Sequence, residues 1–271
     1  MGAPLNTVVI NTTDIEGASM NTITDNPTAA ARRFLHVWTT MLGLTDRPDR
    51  PRVEQLVKDA YRAAGLPHPR HIIWCASPLT MTWARSVFPL VADAPVGPGV
   101  ADQLVHGQMQ RARSAVSVGT GELAMLCGEL ERGVLAATKP REQALWDALA
   151  RDDLPFSDQP SWIKGAVAGT VTLHTPCKAA EVMVAAPRHQ GIGDAVLGAA
   201  TPGTISLSFL RRRIGLVAET EGVAPLLDLL TETHMLIAHA NVCYISERPV
   251  LIDDQCLSYV DGWELPVPAG C

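Results

Sequence analysis

The residues of this chain that could move a proton lie near its C-terminal end. Asp254 and His239 are candidates for a general acid or base, because a well-placed carboxylate or imidazole can accept and return a proton. Arg248 could bind an anion or a carbonyl oxygen, and Tyr259 could donate a hydrogen bond. The alternative is structural, since aspartates such as Asp254 and Asp261 are favoured in turns, where their carboxylates accept backbone N–H groups.

Three further residues, Trp263, Trp74 and Ser77, are predicted to line a substrate pocket. Ser77 follows an apolar run and precedes Pro78, a pattern typical of a strand that turns at once into a helix. The N-terminus of such a helix can receive an anion, but Ser77 can also be a simple helix cap. Cys75 could be a nucleophile, although a cysteine after Ile-Ile-Trp is more often a small buried apolar residue.

We expect neither a metal nor a cofactor. A metal site could be built from His239, Cys243 and Cys256, but zinc sites usually show tighter spacings such as Cys-x-x-Cys. Gly191-Ile192-Gly193 lacks the third glycine of a dinucleotide-binding motif. The chain also contains no phosphate-binding P-loop, no nucleophile elbow and no His-Glu-x-x-His motif.

The composition indicates a soluble globular protein. Hydrophobic residues make up 47% of the 271 residues and charged residues 18%, which allows a sizeable core. The net charge of -6 argues against nucleic acid as a partner. We expect neither a membrane span nor a secretory signal, and six widely spaced cysteines suit a reducing, cytoplasmic location. Whether the chain forms a homodimer stays open.

The chain is predicted to consist of an N-terminal tail and one domain. Residues 1–25 are rich in Asn, Thr and Gly, and only Val8–Ile10 forms an apolar run there that could add a strand. Residues 26–271 contain no clear linker and are mostly of helical periodicity. Residues 241–268 instead show short apolar runs separated by turn residues, which is typical of an antiparallel meander. The predicted fold class is α+β, a mainly helical body closed by a small C-terminal antiparallel β-meander.

Local signals predict several boundaries within this domain. His71–Cys75 is predicted to be a buried strand that could join the sheet, and Val223–His239 to be the last helix. Pro89–Gly99 is predicted to be a loop, and a helix break is expected at Thr138–Pro140, because proline interrupts helices. The Asp261-Gly262 pair predicts a two-residue hairpin turn, since glycine accepts a positive φ.

Two blocks of the sequence resemble a known family. They comprise Tyr61–Trp74 with Ser77-Pro78, and then Ser246–Pro249, Asp253–Gln255, Asp261–Leu265 and Val267-Pro268. In order and spacing they are similar to the N-terminal signature and the C-terminal meander of an actinobacterial family of unknown function. The resemblance implies a related fold but does not indicate an activity. Where that family has a longer segment with a histidine, this chain has only Cys256–Val260, so a function that depended on that histidine is not expected here.

The sequence predicts a tailoring enzyme of bacterial secondary metabolism that acts on an apolar small molecule. Since no nucleotide or metal motif is present, the predicted chemistry is that of a cofactor-free cyclase or isomerase, which works by shape and a few polar groups. The alternative is a non-catalytic module that presents an edge strand or an apolar patch to a partner protein. A metal-dependent enzyme that uses His239, Cys243 and Cys256 is a third interpretation.

Overall fold

The computed structural model describes residues 27–41, 48–92, 95–116, 121–152, 158–159, 161–172, 195–252 and 256–266. This part of the chain combines helices with two small β-sheets, which confirms the predicted α+β class. The predicted tail, with its apolar run Val8–Ile10, lies outside the described residues. None of the described helices is both long and apolar enough to cross a membrane.

Eight α-helices lie within the described residues. They are α1 (Pro27–Met41), α2 (Arg50–Ala63), α3 (Pro78–Ala92), α4 (Gln108–Ala115), α5 (Glu122–Arg151), α6 (Ser161–Thr172), α7 (Pro202–Phe209) and α8 (Ala224–Glu232). A π-helical segment, Asp102–Gly107, leads into α4, and another, Leu210–Ile214, extends α7. Several helices begin at a proline, whose fixed φ suits the first helical position.

The larger sheet has four strands, two of which were not predicted. They are β1 (His71–Cys75), β2 (Ala195–Val196), β3 (Met235–Ala238) and β4 (Val242–Ser246), in the spatial order β1-β4-β3-β2. β1 runs parallel to β4, and the other pairs are antiparallel. The prediction of a strand at His71–Cys75 is therefore confirmed.

Side chains of the larger sheet alternate between two apolar layers. Ile73 and Tyr244 face the layer that contains residues of α3 and α6, while Ile245 and Leu236 face the layer that contains residues of α2 and α8. Because both faces are covered, every residue of β3 and β4 is buried. The sheet therefore lies at the centre of the described structure.

The second sheet contains the three last strands, β5 (Val250–Ile252), β6 (Cys256–Ser258) and β7 (Glu264–Pro266). It is antiparallel in the order β5-β6-β7, as the meander prediction requires. Leu257 and Leu265 join the same layer as Ile73 and Tyr244. Gly262 has the predicted positive φ of 85°, although the β6–β7 connection spans Tyr259–Trp263 and so is longer than two residues.

Two boundaries predicted for the C-terminal part were wrong. The predicted helix Val223–His239 ends at Glu232, where Thr233 adopts an extended conformation, and Met235–Ala238 forms β3. The predicted first strand of the meander is β4, which pairs with β1 and β3 and not with β5. A fully buried strand has no apolar alternation, so periodicity alone does not separate it from a buried helix.

Two prolines predicted to interrupt helices lie inside them. Helix α3 continues through Pro89 to Ala92, and the 30-residue helix α5 continues through Pro140. Buried residues on both sides of Pro140, such as Val134 and Leu145, hold α5 against the core. This packing offsets the loss of one backbone hydrogen bond at the proline.

Candidate functional site

The polar side chains gather at one edge of the four-stranded sheet. The parallel strands β1 and β4 both end there, with Cys75 opposite Ser246. The antiparallel strand β3 begins there, with Met235 opposite Ser246, so His234 lies at the same edge. We call this place, where β1 and β4 end and β3 begins, the carboxyl edge. Carboxyl ends of parallel strands are a frequent location of ligand sites.

A carboxylate from the second sheet lies at the N-terminus of helix α3. Ser77 caps this helix by accepting a hydrogen bond from the Thr80 N–H at 3.0 Å. The hydroxyl groups of Ser77, at 2.5 Å, and of Thr80 both donate to Asp261 Oδ2. Asp261 Oδ1 accepts from the Trp263 N–H at 3.1 Å. The sequence predicted that this helix N-terminus could receive an anion, and in the structure a carboxylate of the protein itself lies there. The helix dipole favours negative charge at this position.

Tyr259, on the turn that carries Asp261, contacts His234, which directly precedes β3. The Tyr259 hydroxyl lies 3.0 Å from His234 Nε2, and the Tyr259 ring lies 5.3 Å from the Trp263 ring. Burial, with the nearby positive charges of Arg248 and Arg141, lowers the pKa of His234 to about 4. Burial and the charge of Asp261 raise the pKa of Tyr259 well above its ordinary value. Both side chains are therefore neutral near pH 7.

The second sheet is held to the helical body by the indole of Trp263. Its N–H donates to Asp152 Oδ2 at 2.9 Å, and Asp152 directly follows α5. Trp263, Tyr259 and Leu265 are buried in the layer shared with α3 and α6. Hydrogen-bonded polar groups and buried core side chains therefore lie next to each other at the carboxyl edge.

Cys75 is fully buried at the end of β1. Burial raises the pKa of its thiol, and the charges of Asp261 and Glu247 raise it further. A thiol with a raised pKa is a poor nucleophile at neutral pH. The geometry therefore favours the interpretation of Cys75 as a small core residue.

The structure places the predicted site residues in three locations. Tyr259, Trp263 and Ser77 meet at the carboxyl edge, and Arg248 lies near His234 there. Asp254 lies outside the described residues.

His239 and Trp74 lie apart from this group. His239 follows β3 at the opposite edge of the sheet, where its backbone carbonyl accepts a hydrogen bond from the Tyr61 hydroxyl at 2.9 Å. Trp74 belongs to the other layer of the sheet, and its indole donates to Glu54 at 3.1 Å. The guanidinium of Arg50 lies 5.2 Å from the Trp74 ring centroid.

Nothing in the described residues forms a cluster of three or more metal-ligating side chains. Cys243 faces the layer with α2 and α8, whereas the sheet that contains Cys256 packs on the other layer. Burial raises the pKa of the Cys243 thiol to about 12, which disfavours the thiolate that a metal needs. The residues of the metal interpretation are therefore not brought together.

A separate open cleft of about 170 Å³ contains none of the predicted site residues. It is lined by residues of α4, α5 and α7 with its extension, namely Arg113, Ala124, Cys127, Gly128, Glu131, Ser206 and Leu210. Its polar groups contact one another, since Glu131 accepts from Ser206 at 2.6 Å and pairs with Arg113. Cys127 and Glu131 lie four residues apart on α5, so they share the face of the helix that lines this cleft.

Comparisons with protein-family models, with curated proteins and with solved structures find no match for this chain. The resemblance of its two sequence blocks to an actinobacterial family stays a prediction. Sequence reasoning also missed the roles of His234, Arg141 and Asp152. No local pattern links them to the turn, because Asp152 and Trp263 are 111 residues apart.

Proposed function

We propose that this chain is a cofactor-independent enzyme that moves a proton on an apolar small molecule, in a reaction of cyclase or isomerase type. The observation that supports this most is the 3.0 Å contact between His234 Nε2 and the Tyr259 hydroxyl at the carboxyl edge. Two neutral groups in this contact can bind a polar atom of a substrate without a metal or a nucleotide. A neutral histidine is an established type of proton donor in isomerases.

The proposed scheme uses the tautomer of His234 in which the Tyr259 hydroxyl is the donor of this hydrogen bond. When the Tyr259 hydroxyl donates to Nε2, the single proton of neutral His234 is carried by Nδ1. From Nδ1 it can be donated to a carbonyl oxygen, which stabilises the negative charge that develops when a neighbouring C–H bond is broken. Tyr259 is in this scheme a positioning residue, and His234 is the catalytic donor.

The rest of the scheme needs a base. Asp254 is our candidate on the ground of the sequence alone. The base takes the proton from one carbon, the electron pair moves toward the carbonyl oxygen, and the proton returns to another carbon. In a cyclase the same electron pair would instead bond to the carbon of a second carbonyl group, whose C=O π bond breaks and whose oxygen takes the proton from the base. Neither course consumes an oxidant or a reductant.

The surroundings favour an apolar substrate. Trp263, Leu257 and Leu265 are buried beside the pair, and apolar walls with few polar groups are typical of small-molecule sites. A role in bacterial secondary metabolism is part of the proposal and rests on the sequence alone, as does kinship with the actinobacterial family. The genes that neighbour this one would test the metabolic part.

Proton transfer can be tested without knowing the product. The full chain is incubated in D₂O with a panel of apolar carbonyl compounds of polyketide, terpenoid and peptide type, and deuterium uptake at carbon is measured by mass spectrometry. We expect one class to exchange faster with the protein than without it. His234→Gln and Asp254→Asn should remove the increase, and the control His68→Gln, at an exposed histidine, should keep it.

Either of two results would overturn the proposal. One is equal exchange with and without protein for every class. The other is an increase that His234→Gln leaves unchanged. If the protein is inactive and co-purifies with a partner protein, the interaction module becomes the better interpretation.

A further inference from the structure

A pair of opposite charges lines the open cleft between α4, α5 and α7. Arg113 of α4 forms an ion pair with Glu131 of α5, and both residues line the cleft. Their side chains are 45% and 24% exposed, so a molecule in solution can reach both charges. The cleft contains none of the residues that meet at the carboxyl edge, and it is therefore a separate place on the molecule.

The ion pair uses only part of each charged group. Arg113 Nη2 donates to Glu131 Oε1, and the Ser206 hydroxyl donates to the same oxygen at 2.6 Å. Among the described residues, Glu131 Oε2 accepts no hydrogen bond, and Arg113 Nε and Nη1 donate none. Because Ser206 is buried, its hydroxyl holds the carboxylate in place. A carboxylate oxygen and two guanidinium nitrogens on adjacent groups thus remain for a ligand.

Small residues on α5 leave room beside this pair. The cleft-lining residues of α5 follow the i, i+3, i+4, i+7 spacing of one helix face, and they are Ala124, Cys127, Gly128 and Glu131. Among the described residues, a Cβ atom at Gly128 would have only Arg132 Nη1 within 4 Å, at 3.4 Å. No side chain therefore fills the position of Gly128 in the cleft.

The volume of the cleft, about 170 Å³, limits the size of a ligand. A cavity of about 150 Å³ holds a molecule of the size of benzene. Leu210 and Ala124 also line the cleft and offer apolar surface. A ligand that fits therefore has two charged groups close together and an aliphatic part of a few carbon atoms.

We propose that this cleft binds a free α-amino acid with a small aliphatic side chain. The ammonium group donates to Glu131 Oε2, and the carboxylate accepts from the remaining N–H groups of Arg113. A ligand with a single charge would be attracted by one member of the pair and repelled by the other, whereas a zwitterion is attracted by both. In a peptide the two terminal charges lie too far apart to reach adjacent groups, which favours the free amino acid.

Binding can be tested on the full chain by NMR. Glycine, L-alanine and L-leucine are titrated at pH 7, and the backbone amide signal of Ala124 is followed. N-acetyl-L-leucine lacks the ammonium group and L-leucinamide lacks the carboxylate, so each removes one of the two charged contacts.

We expect a saturable shift of this signal with L-alanine or L-leucine. The two analogues should bind about tenfold more weakly or worse, because each loses a charged hydrogen bond. The proposal would be overturned if none of the three amino acids gave a saturable shift. It would also be overturned if either analogue bound as tightly as L-leucine.

Charge variants have matched controls on the same helices. Arg113→Gln and Glu131→Gln should each weaken amino-acid binding about tenfold or more. Arg111→Gln on α4 and Glu129→Gln on α5 make the same changes of charge at exposed positions and should have no effect. Since exposed ion pairs contribute little to stability, we expect all four variants to fold. Equal affinities in a variant and its control would refute the role of that charge.

A variant that fills the cleft tests the position of the ligand without a change of charge. Gly128→Leu should abolish binding, because its side chain would occupy the space beside the ion pair. Gly165→Leu, at an exposed glycine of α6 with no described atom near its Cβ position, should bind as the wild type does. Thermal melting shows that both variants are folded. Retained binding in Gly128→Leu would contradict the placement of the amino acid in this cleft.

Discussion

The low pKa of His234 predicts how the stability of this protein depends on pH. The folded state lowers this pKa from 6.5 to about 4, so folding favours the neutral imidazole. Between these two values the unfolded chain binds a proton that the folded chain does not bind. The stability of the protein therefore falls as the pH falls from about 6.5 to about 4, and His234 contributes no further loss below that range.

The size of the effect follows from the same two values. Linkage gives a loss of about 2 kcal/mol between pH 7 and pH 5 for a shift from 6.5 to about 4. This is an upper value, because the His234 side chain is only partly buried and solvent screens part of the interaction.

The assay is urea unfolding, followed by tryptophan fluorescence, of the wild type and of His234→Gln at both pH values. The other titrating groups are common to both proteins, so the difference between their two losses isolates His234. We expect the wild type to lose more stability than His234→Gln, by at most about 2 kcal/mol. A His68→Gln control, at an exposed site, should behave as the wild type. If wild type and His234→Gln lost the same stability, the lowered pKa and the burial argument behind it would be refuted.

Three further predictions concern contacts that hold the two sheets in place. Gly198→Ala should lower the free energy of unfolding in urea by about 3 kcal/mol. Gly198 has a φ of +33°, and a Cβ atom there would lie 2.2 Å from the backbone carbonyl oxygen of Thr233. A loss below about 1 kcal/mol would contradict this prediction. Asp261→Asn should lower the free energy of unfolding by about 2 kcal/mol, because the hydrogen bonds to Asp261 would no longer have a charged acceptor. The control Asp102→Asn, at a fully exposed side chain, should have almost no effect in the same urea experiment. Tyr61→Phe should lower the free energy of unfolding by about 1 kcal/mol, because it removes the hydrogen bond from the Tyr61 hydroxyl. Tyr244→Phe should leave the stability unchanged or raise it, because the buried Tyr244 hydroxyl has no hydrogen-bond partner among the described residues. Equal losses of stability in the two variants would contradict this prediction.

Local signals in the sequence predicted much of the secondary structure. Pro27 and Pro78 mark helix starts, His71–Cys75 is a strand, and Gly262 has a positive φ, because each depends on backbone preferences within a few residues. The α+β class followed from the change from helical periodicity to short apolar runs near the C-terminus. Tyr259, Trp263, Ser77 and Arg248 were singled out from the same local patterns.

The tertiary structure decided which of these pieces meet. β1 pairs with β4 across the length of the chain, and Met235–Ala238 becomes a strand only because the core covers both of its faces. The candidate site depends on the same long-range packing, since it joins Arg141 of α5 to His234 and to the turn that carries Tyr259. Local sequence specifies backbone conformation and which face is apolar. Which strand an apolar strand pairs with depends on packing between residues that are far apart in the sequence. The pKa of the neighbouring histidine likewise depends on burial and on charges that such residues bring together only after folding.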